Sequence, residues 1–180
     1  FQEGFYYKPR IDRELLEEFH EGLVCLSGCL SGQVPSLLLS GDKQAARETA
    51  EWFRDLFTPE RYYLELQENG LAEQRIANAA LVELAAELDL QVVATNDCHY
   101  LDKADHRAHE ILLCIQTQKK FDDPDRMAFD SAEFYLKSPE QMAHDFRAYP
   151  EAIKNTRAIA ERCNLLLQFG NIHMPRFDLG

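Results

Sequence analysis

Two short stretches carry residue types able to do chemistry. One is Ser27-Gly28-Cys29-Leu30-Ser31-Gly32 and the other is Thr95-Asn96-Asp97-Cys98-His99-Tyr100. In the second, Asp97 and His99 stand two apart. If extended geometry continues past a strand, both side chains project to one face and Cys98 to the other. A carboxylate and an imidazole side by side can share a divalent cation. A thiolate from a neighbouring strand end, here Cys29, suits Zn²⁺ in particular. The same three residues also admit a nucleophile set, with Cys29 attacking, His99 as base and Asp97 as orienter. That set fits the spacing less well, because a triad needs its carboxylate behind the imidazole rather than parallel to it. With neither chemistry, Asp97 caps a turn, His99 packs, and Cys29 is a small buried hydrophobe.

Weaker candidates surround these. Glu65 lies on the polar face of an alternating segment, where it either reaches a site from inside a barrel or pairs with a neighbouring Arg or Tyr hydroxyl. His106 and His109 are three apart on a helix, the first expected at the surface and the second partly buried and hydrogen-bonded. His20, His144 and His173 have no neighbour that suggests chemistry. The Asp122-Asp123-Pro124-Asp125 run reads as an acidic turn, without the Gly and terminal Glu of a calcium loop.

Strands and helices must position these groups. Asp12 is a plausible N-cap for a short helix carrying Leu15, Leu16 and Phe19. Leu23–Leu26 reads as a strand apolar on both faces, as parallel strands covered on each side are. Residues 42–57 and 71–88 show helical spacing, the second with the stripe Ile76, Ala77, Ala80, Leu81, Leu84 and Leu88. Between them Tyr62–Gln67 alternates as a strand with one polar face. Leu90–Ala94 is a further short strand, and residues 103–117 a helix. Phe134–Leu136 reads as a short extended piece. Ser138-Pro139 opens a helix, residues 150–163 form another, and Leu165–Gln168 is a candidate last strand. Strands alternating with amphipathic helices give an α/β layout with parallel strands, in which working residues gather past the carboxyl ends of strands.

The chain has 180 residues, 46% hydrophobic and 28% charged, enough to build a packed core. Lys and Arg number 19 against 31 Asp and Glu, a formal net charge of -12. That balance argues against autonomous binding to a phosphate backbone. No apolar run approaches the ~18 residues of a membrane span. The first residue is Phe1 and no signal-peptide pattern follows, so a piece of a longer polypeptide is expected. The five cysteines are odd in number and lack C-x-x-C spacing, which suits free thiols in a reducing compartment, the cytoplasm.

An ordered set of motifs carries a resemblance. Gly4-Phe5-Tyr6-Tyr7-Lys8-Pro9-Arg10-Ile11-Asp12 comes first, then Leu26-Ser27-Gly28-Cys29-Leu30, then Val93-Ala94-Thr95-Asn96-Asp97-Cys98-His99-Tyr100. Ala108-His109-Glu110, Phe134-Tyr135-Leu136-Lys137-Ser138, Asn155-Thr156 and Arg162-Cys163-Asn164 follow. In this order they resemble the PHP (polymerase and histidinol phosphatase) domain of the alpha subunit of bacterial DNA polymerase III, over essentially the whole chain.

The resemblance implies an α/β fold, a partial distorted (β/α)₇ TIM-like barrel with its N-terminal strands missing. Residues 1–170 would form roughly the C-terminal two-thirds of the domain, and residues 171–180 a boundary toward the polymerase palm. It implies Cys29, Asp97 and His99 as metal ligands for divalent ions (Zn²⁺ or Mn²⁺, with Mg²⁺ an alternative). The family's His-x-His and further His and Glu ligands would lie upstream of Phe1. Asn69 stands where several relatives have a His. The parent would be a DNA-directed DNA polymerase, a nucleotidyltransferase of replication, whose PHP region hydrolyses phosphodiesters as a 3′-5′ exonuclease, with this piece inactive alone. Its partners would be the rest of the alpha subunit, DNA through the parent enzyme, and a proofreading subunit, with no membrane. Two alternatives stand beside this: a non-catalytic scaffold that braces the polymerase, and a small-molecule phosphoesterase on the same fold.

Overall fold

A computed structural model describes residues 5–172 and residue 174. The element order is β1 (Phe5–Tyr6), β2 (Lys8–Pro9), α1 (Arg13–Phe19), β3 (Cys25–Leu26), α2 (Gln33–Leu39), α3 (Lys43–Phe57), β4 (Tyr62–Gln67), α4 (Ala72–Leu88), β5 (Gln91–Thr95), α5 (His106–Thr117), α6 (Pro139–Asp145) and α7 (Pro150–Arg162), with a 3₁₀ turn at Lys103–Asp105. The fold class is mixed α/β, as the alternation predicts. Among the described residues the main sheet is three parallel strands in the order β3-β4-β5, and a closed barrel is not formed.

Local chemistry explains most boundaries. Asp12 caps α1 by accepting from Leu15 N at 3.0 Å, and Asp42 caps α3 through Ala45 N at 3.0 Å. Ser138 and Gln141 form a reciprocal capping box that starts α6 at Pro139. Parallel pairing requires crossover connections. One runs β3-α2-α3-β4 and the other β4-α4-β5. Tyr62, Leu64 and Leu66 of β4 pack with Ala46, Ala50 and Phe57 of α3, Leu81, Leu84 and Leu88 of α4, and Ala94 of β5. Removing each such Leu or Phe side chain from water contributes about 1.5–3 kcal/mol. The α7 helix lies along β5, where Asn155 Nδ2 donates to Val92 O at 2.8 Å and Thr156 Oγ1 to Ala94 O at 2.8 Å. These two side chains take carbonyls that a further strand would otherwise use.

Five expectations change. The strand at Leu23–Leu26 is shortened to Cys25–Leu26 and is not covered on both faces. It has one strand neighbour among the described residues, and Leu23 and Leu26 are exposed. The polar face of β4 is mostly buried: Tyr63 and Gln67 are inaccessible and Glu65 is half-buried. The α2 helix was not expected from the sequence pattern. Leu165–Gln168 is not a strand, and Leu165 and Leu166 are more than four-fifths exposed. Phe134–Leu136 is extended only as far as one bridge between Tyr135 and Tyr100. The boundary at 171–180 and His173 lie largely outside the described residues.

Candidate metal centre

The strand β3 runs straight into the Cys29 turn. Ser27 N continues the ladder by donating to Tyr63 O at 3.0 Å, and Gly32 N closes the turn on Cys29 O at 2.7 Å. Gly28 adopts φ +81°, which favours glycine. Gly32 is required for a different reason, because a Cβ there would sit 2.2 Å from Ser27 O. The turn therefore presents Cys29 in one fixed place, exposed at the rim.

The β5 strand ends at Thr95, and the Asp97/His99 turn that follows is pinned from outside. Asn69 Nδ2 donates to Asn96 Oδ1 at 2.7 Å, Asn96 Nδ2 to Tyr135 O at 2.5 Å, and His99 N to Phe134 O at 2.7 Å. The spacing argument holds locally, since His99 Nδ1 lies 3.7 Å from Asp97 Oδ1. The same nitrogen is 2.9 Å from Asp97 O. A carbonyl only accepts, so Nδ1 carries a proton, and the neutral form of the ring has its lone pair on Nε2. Metal-bound imidazoles commonly use this arrangement. The ring is held by Phe129 at 4.8 Å, His109 at 5.4 Å and Phe134 at 5.7 Å between centroids.

Cys29 is not gathered with this couple. The small cavity it lines is bounded by Glu65, Gln67, Gln74 and Asn78, and neither Asp97 nor His99 takes part. Among the described residues no three His, Cys, Asp or Glu side chains converge as a metal set. The donor types nonetheless fit a divalent ion: an imidazole nitrogen with its other nitrogen occupied, a carboxylate beside it, and an exposed sulfur at the end of another strand of the sheet.

His109 departs from its expected hydrogen-bonded state. Its Nδ1 is buried without a partner, as are His106 Nε2 and the Tyr100 hydroxyl. Burial lowers the His109 pKa, and the neighbouring His99 and His106 add to the shift. His144 does have an acidic neighbour, Asp145 at 3.4 Å. Arg126 and Glu110 form a largely buried ion pair at 2.9 Å that clasps the 119–131 loop onto α5.

Spacing alone missed a polar layer joining the two turns. Glu65 N donates to Ser27 Oγ at 2.8 Å, Thr95 Oγ1 donates to Glu65 Oε1 at 2.5 Å, and Gln67 Nε2 donates to the same oxygen at 3.0 Å. The alternation of Tyr62–Gln67 marks Glu65 and Gln67 as one face but does not reveal Thr95 as their partner. Asn69 was likewise unreadable. It is fully buried, accepts from Gln74 Nε2 at 2.9 Å, and donates to Asn96 and to Glu133 O.

The family model described as PHP domain matches residues 1–69. The DNA polymerase III subunit alpha of Treponema pallidum is 51% identical over 177 residues, covering 98% of this chain and 15% of that protein. The subunit of the same name from Deinococcus radiodurans is 46% identical over 188 residues, covering 99% of this chain and 14% of that protein. That of Campylobacter jejuni is 44% identical over 184 residues, covering 97% and 15%. The chain thus spans about 15% of the length of these relatives.

Proposed function

Because this chain belongs to the family of DNA polymerase III alpha subunits and carries part of their PHP domain, we propose that it contributes metal-binding side chains to the PHP site of a replicative DNA polymerase. Residues 1–170 form the C-terminal portion of a distorted (β/α)₇ barrel, which the rest of a longer polypeptide completes. The whole protein is a DNA-directed DNA polymerase acting in the cytoplasm, and its PHP region hydrolyses phosphodiesters in the 3′-5′ direction. DNA and a proofreading subunit meet the protein through other parts of that polypeptide. This fits a chain whose own net charge of -12 gives it no means of holding a phosphate backbone. Among the described residues no helix is long and apolar enough to cross a membrane.

The observation that carries the proposal is the Asp97–His99 couple past the carboxyl end of β5, with Nδ1 of His99 occupied by Asp97 O. Asp97 would supply a carboxylate oxygen to the ion, His99 its Nε2, and Cys29 a sulfur from the end of β3. A bound Zn²⁺ or Mn²⁺ (or Mg²⁺) supplies Lewis acidity and an activated water at a phosphate. The chain's own residues fix where the donors stand. The Asn96–Tyr135 and His99–Phe134 hydrogen bonds hold the turn, and Phe129 and Phe134 hold the imidazole plane.

The test is exonuclease turnover on primer-template DNA. The full alpha-subunit polypeptide is expected to remove 3′ nucleotides with added metal and to lose that activity on Asp97→Ala or His99→Ala. This chain alone is expected to show none. Undiminished activity in both variants would refute the proposal. A bracing role without metal is favoured by one observation, the failure of Cys29, Asp97 and His99 to gather among the described residues. A small-molecule phosphoesterase draws no such support, since the relatives reported above are all named as polymerase subunits.

A further inference from the structure

We propose that the outer face of α5 is a docking surface for the remainder of the same polypeptide, seated on Ala108, Ile111, Leu112 and Ile115. The inference rests on that part of the proposal above which places this chain within a longer alpha-subunit polypeptide, and not on the metal site. These four residues follow the i, i+3, i+4, i+7 spacing of a helix stripe that faces a core. The structure turns the other side inward. Helix α5 buries Leu113 and Cys114, while Ile111, Leu112 and Ile115 are 45%, 62% and 69% exposed and Ala108 is exposed beside them. The helix offers this face little charge. Histidines aside, its charged side chains are Arg107 and Glu110, and Glu110 is taken by its ion pair with Arg126. Contiguous exposed apolar surface with little charge marks an interaction site.

Length, linkage and charge identify the occupant. The chain spans about 15% of the length of its relatives, so most of the surface able to cover the stripe belongs to the same molecule. A covalently attached partner acts at an effective concentration of about millimolar, which a separate protein seldom reaches. A second copy is disfavoured, because each copy carries a net charge of -12 and the two repel. Arg107 at one end of the stripe and Lys120 past the other are exposed and pair with no carboxylate among the described residues. The covering surface is therefore expected to be apolar with carboxylates at its edges. This contact is separate from extension of the sheet. The strand edge left open is that of β3, whereas α5 stands against the turn after β5, with the His99 and His109 ring centroids 5.4 Å apart.

The experiment is hydroxyl-radical footprinting of the full alpha-subunit polypeptide, read by mass spectrometry, which needs no substitution. Leu113 serves as the buried standard and the urea-unfolded polypeptide as the exposed one. Ile111, Leu112 and Ile115 are expected to oxidise at least about tenfold more slowly than in the unfolded polypeptide, at every protein concentration and with no other protein added. Oxidation near the unfolded rate overturns the inference. Protection that grows with protein concentration marks a second copy, and protection that needs an added subunit marks a separate partner; either overturns it too. Ala108→Cys, a small-for-small change, gives an independent reading. Its alkylation by iodoacetamide is expected to be slow in the native polypeptide and fast in urea, and equal rates overturn the inference. No metal enters these measurements. A protected stripe with unchanged metal content in Asp97→Ala upholds this inference and refutes the metal-site proposal; an exposed stripe with metal lost in Asp97→Ala does the reverse.

Discussion

Glu65 and Thr95 are diagonal neighbours across the β4–β5 ladder, and the Thr95 hydroxyl donates to Glu65 Oε1 at 2.5 Å. Their Cα partners are Val93 and Gln67, two residues apart in register. Through Glu65 N and Ser27 Oγ the contact continues to β3. The turn bearing Cys29 and the turn bearing Asp97 and His99 therefore share one polar layer, although 68 residues separate Cys29 from Asp97 in sequence.

Asn69 is expected to be among the most sensitive polar positions. Asn69→Ala leaves Gln74, Asn96 and Glu133 O each short of a partner in a buried site. Unsatisfied buried polar groups cost about 1–3 kcal/mol each. A loss of at least about 2 kcal/mol in urea unfolding is expected, and a change within 0.5 kcal/mol, ordinary for surface sites, would contradict this role.

Gly32→Ala tests the Cys29 turn. The added Cβ meets Ser27 O at 2.2 Å and Cys29 O at 3.0 Å, and both are backbone atoms unable to swing aside. The turn must open, so we expect a lower melting temperature and faster alkylation of Cys29 by iodoacetamide, mapped by mass spectrometry. An unaltered melting temperature and alkylation rate would show that the turn is not held as described.

Asp145, paired with the buried Lys137, supplies a pH-dependent contribution. The Lys137 side chain is 2% exposed, and its Nζ reaches Asp145 Oδ2 at 2.6 Å and Glu68 O at 2.9 Å. Burial acts to raise the Asp145 pKa, but the hydrogen bonds and charges of Lys137 and His144 outweigh it and hold the carboxyl below its ordinary 3.8. A carboxyl depressed in the folded state stabilises fully above its unfolded pKa and ceases to do so as pH falls through the folded value. Asp145→Asn is thus expected to cost about 3 kcal/mol near neutrality, the lower end for a broken buried pair, and to flatten the stability profile below pH 3.8. Parallel acid-unfolding curves for the two proteins would contradict this.

The parts of the fold governed by neighbours in sequence were legible from sequence. The stripe of α4, the alternation of β4 and the Ser138–Gln141 capping box each depend on residues within a turn or two, and so does the Asp97–His99 couple. What escaped depends on distant partners or on competing local signals. The α2 helix has Gly32 at its N-cap, with no side chain to announce a start, and Pro35 in its first turn. Leu165–Leu167 has the composition of a strand but finds no strand neighbour among the described residues, and composition alone cannot form a ladder. The Glu65–Thr95 bond joins residues 30 apart, and nothing in local spacing encodes it. Cys29 was expected beside His99 because both follow strand ends, yet β4 stands between their strands.

The central claim is that Asp97 and His99 hold a divalent metal. Inductively coupled plasma mass spectrometry on the full alpha-subunit polypeptide, purified without added metal, tests it most directly. The wild type is expected to retain Zn²⁺ or Mn²⁺, with Asp97→Ala and His99→Ala each losing it while keeping the melting profile of the chelator-stripped wild type. Equal metal content in all three proteins would contradict the account.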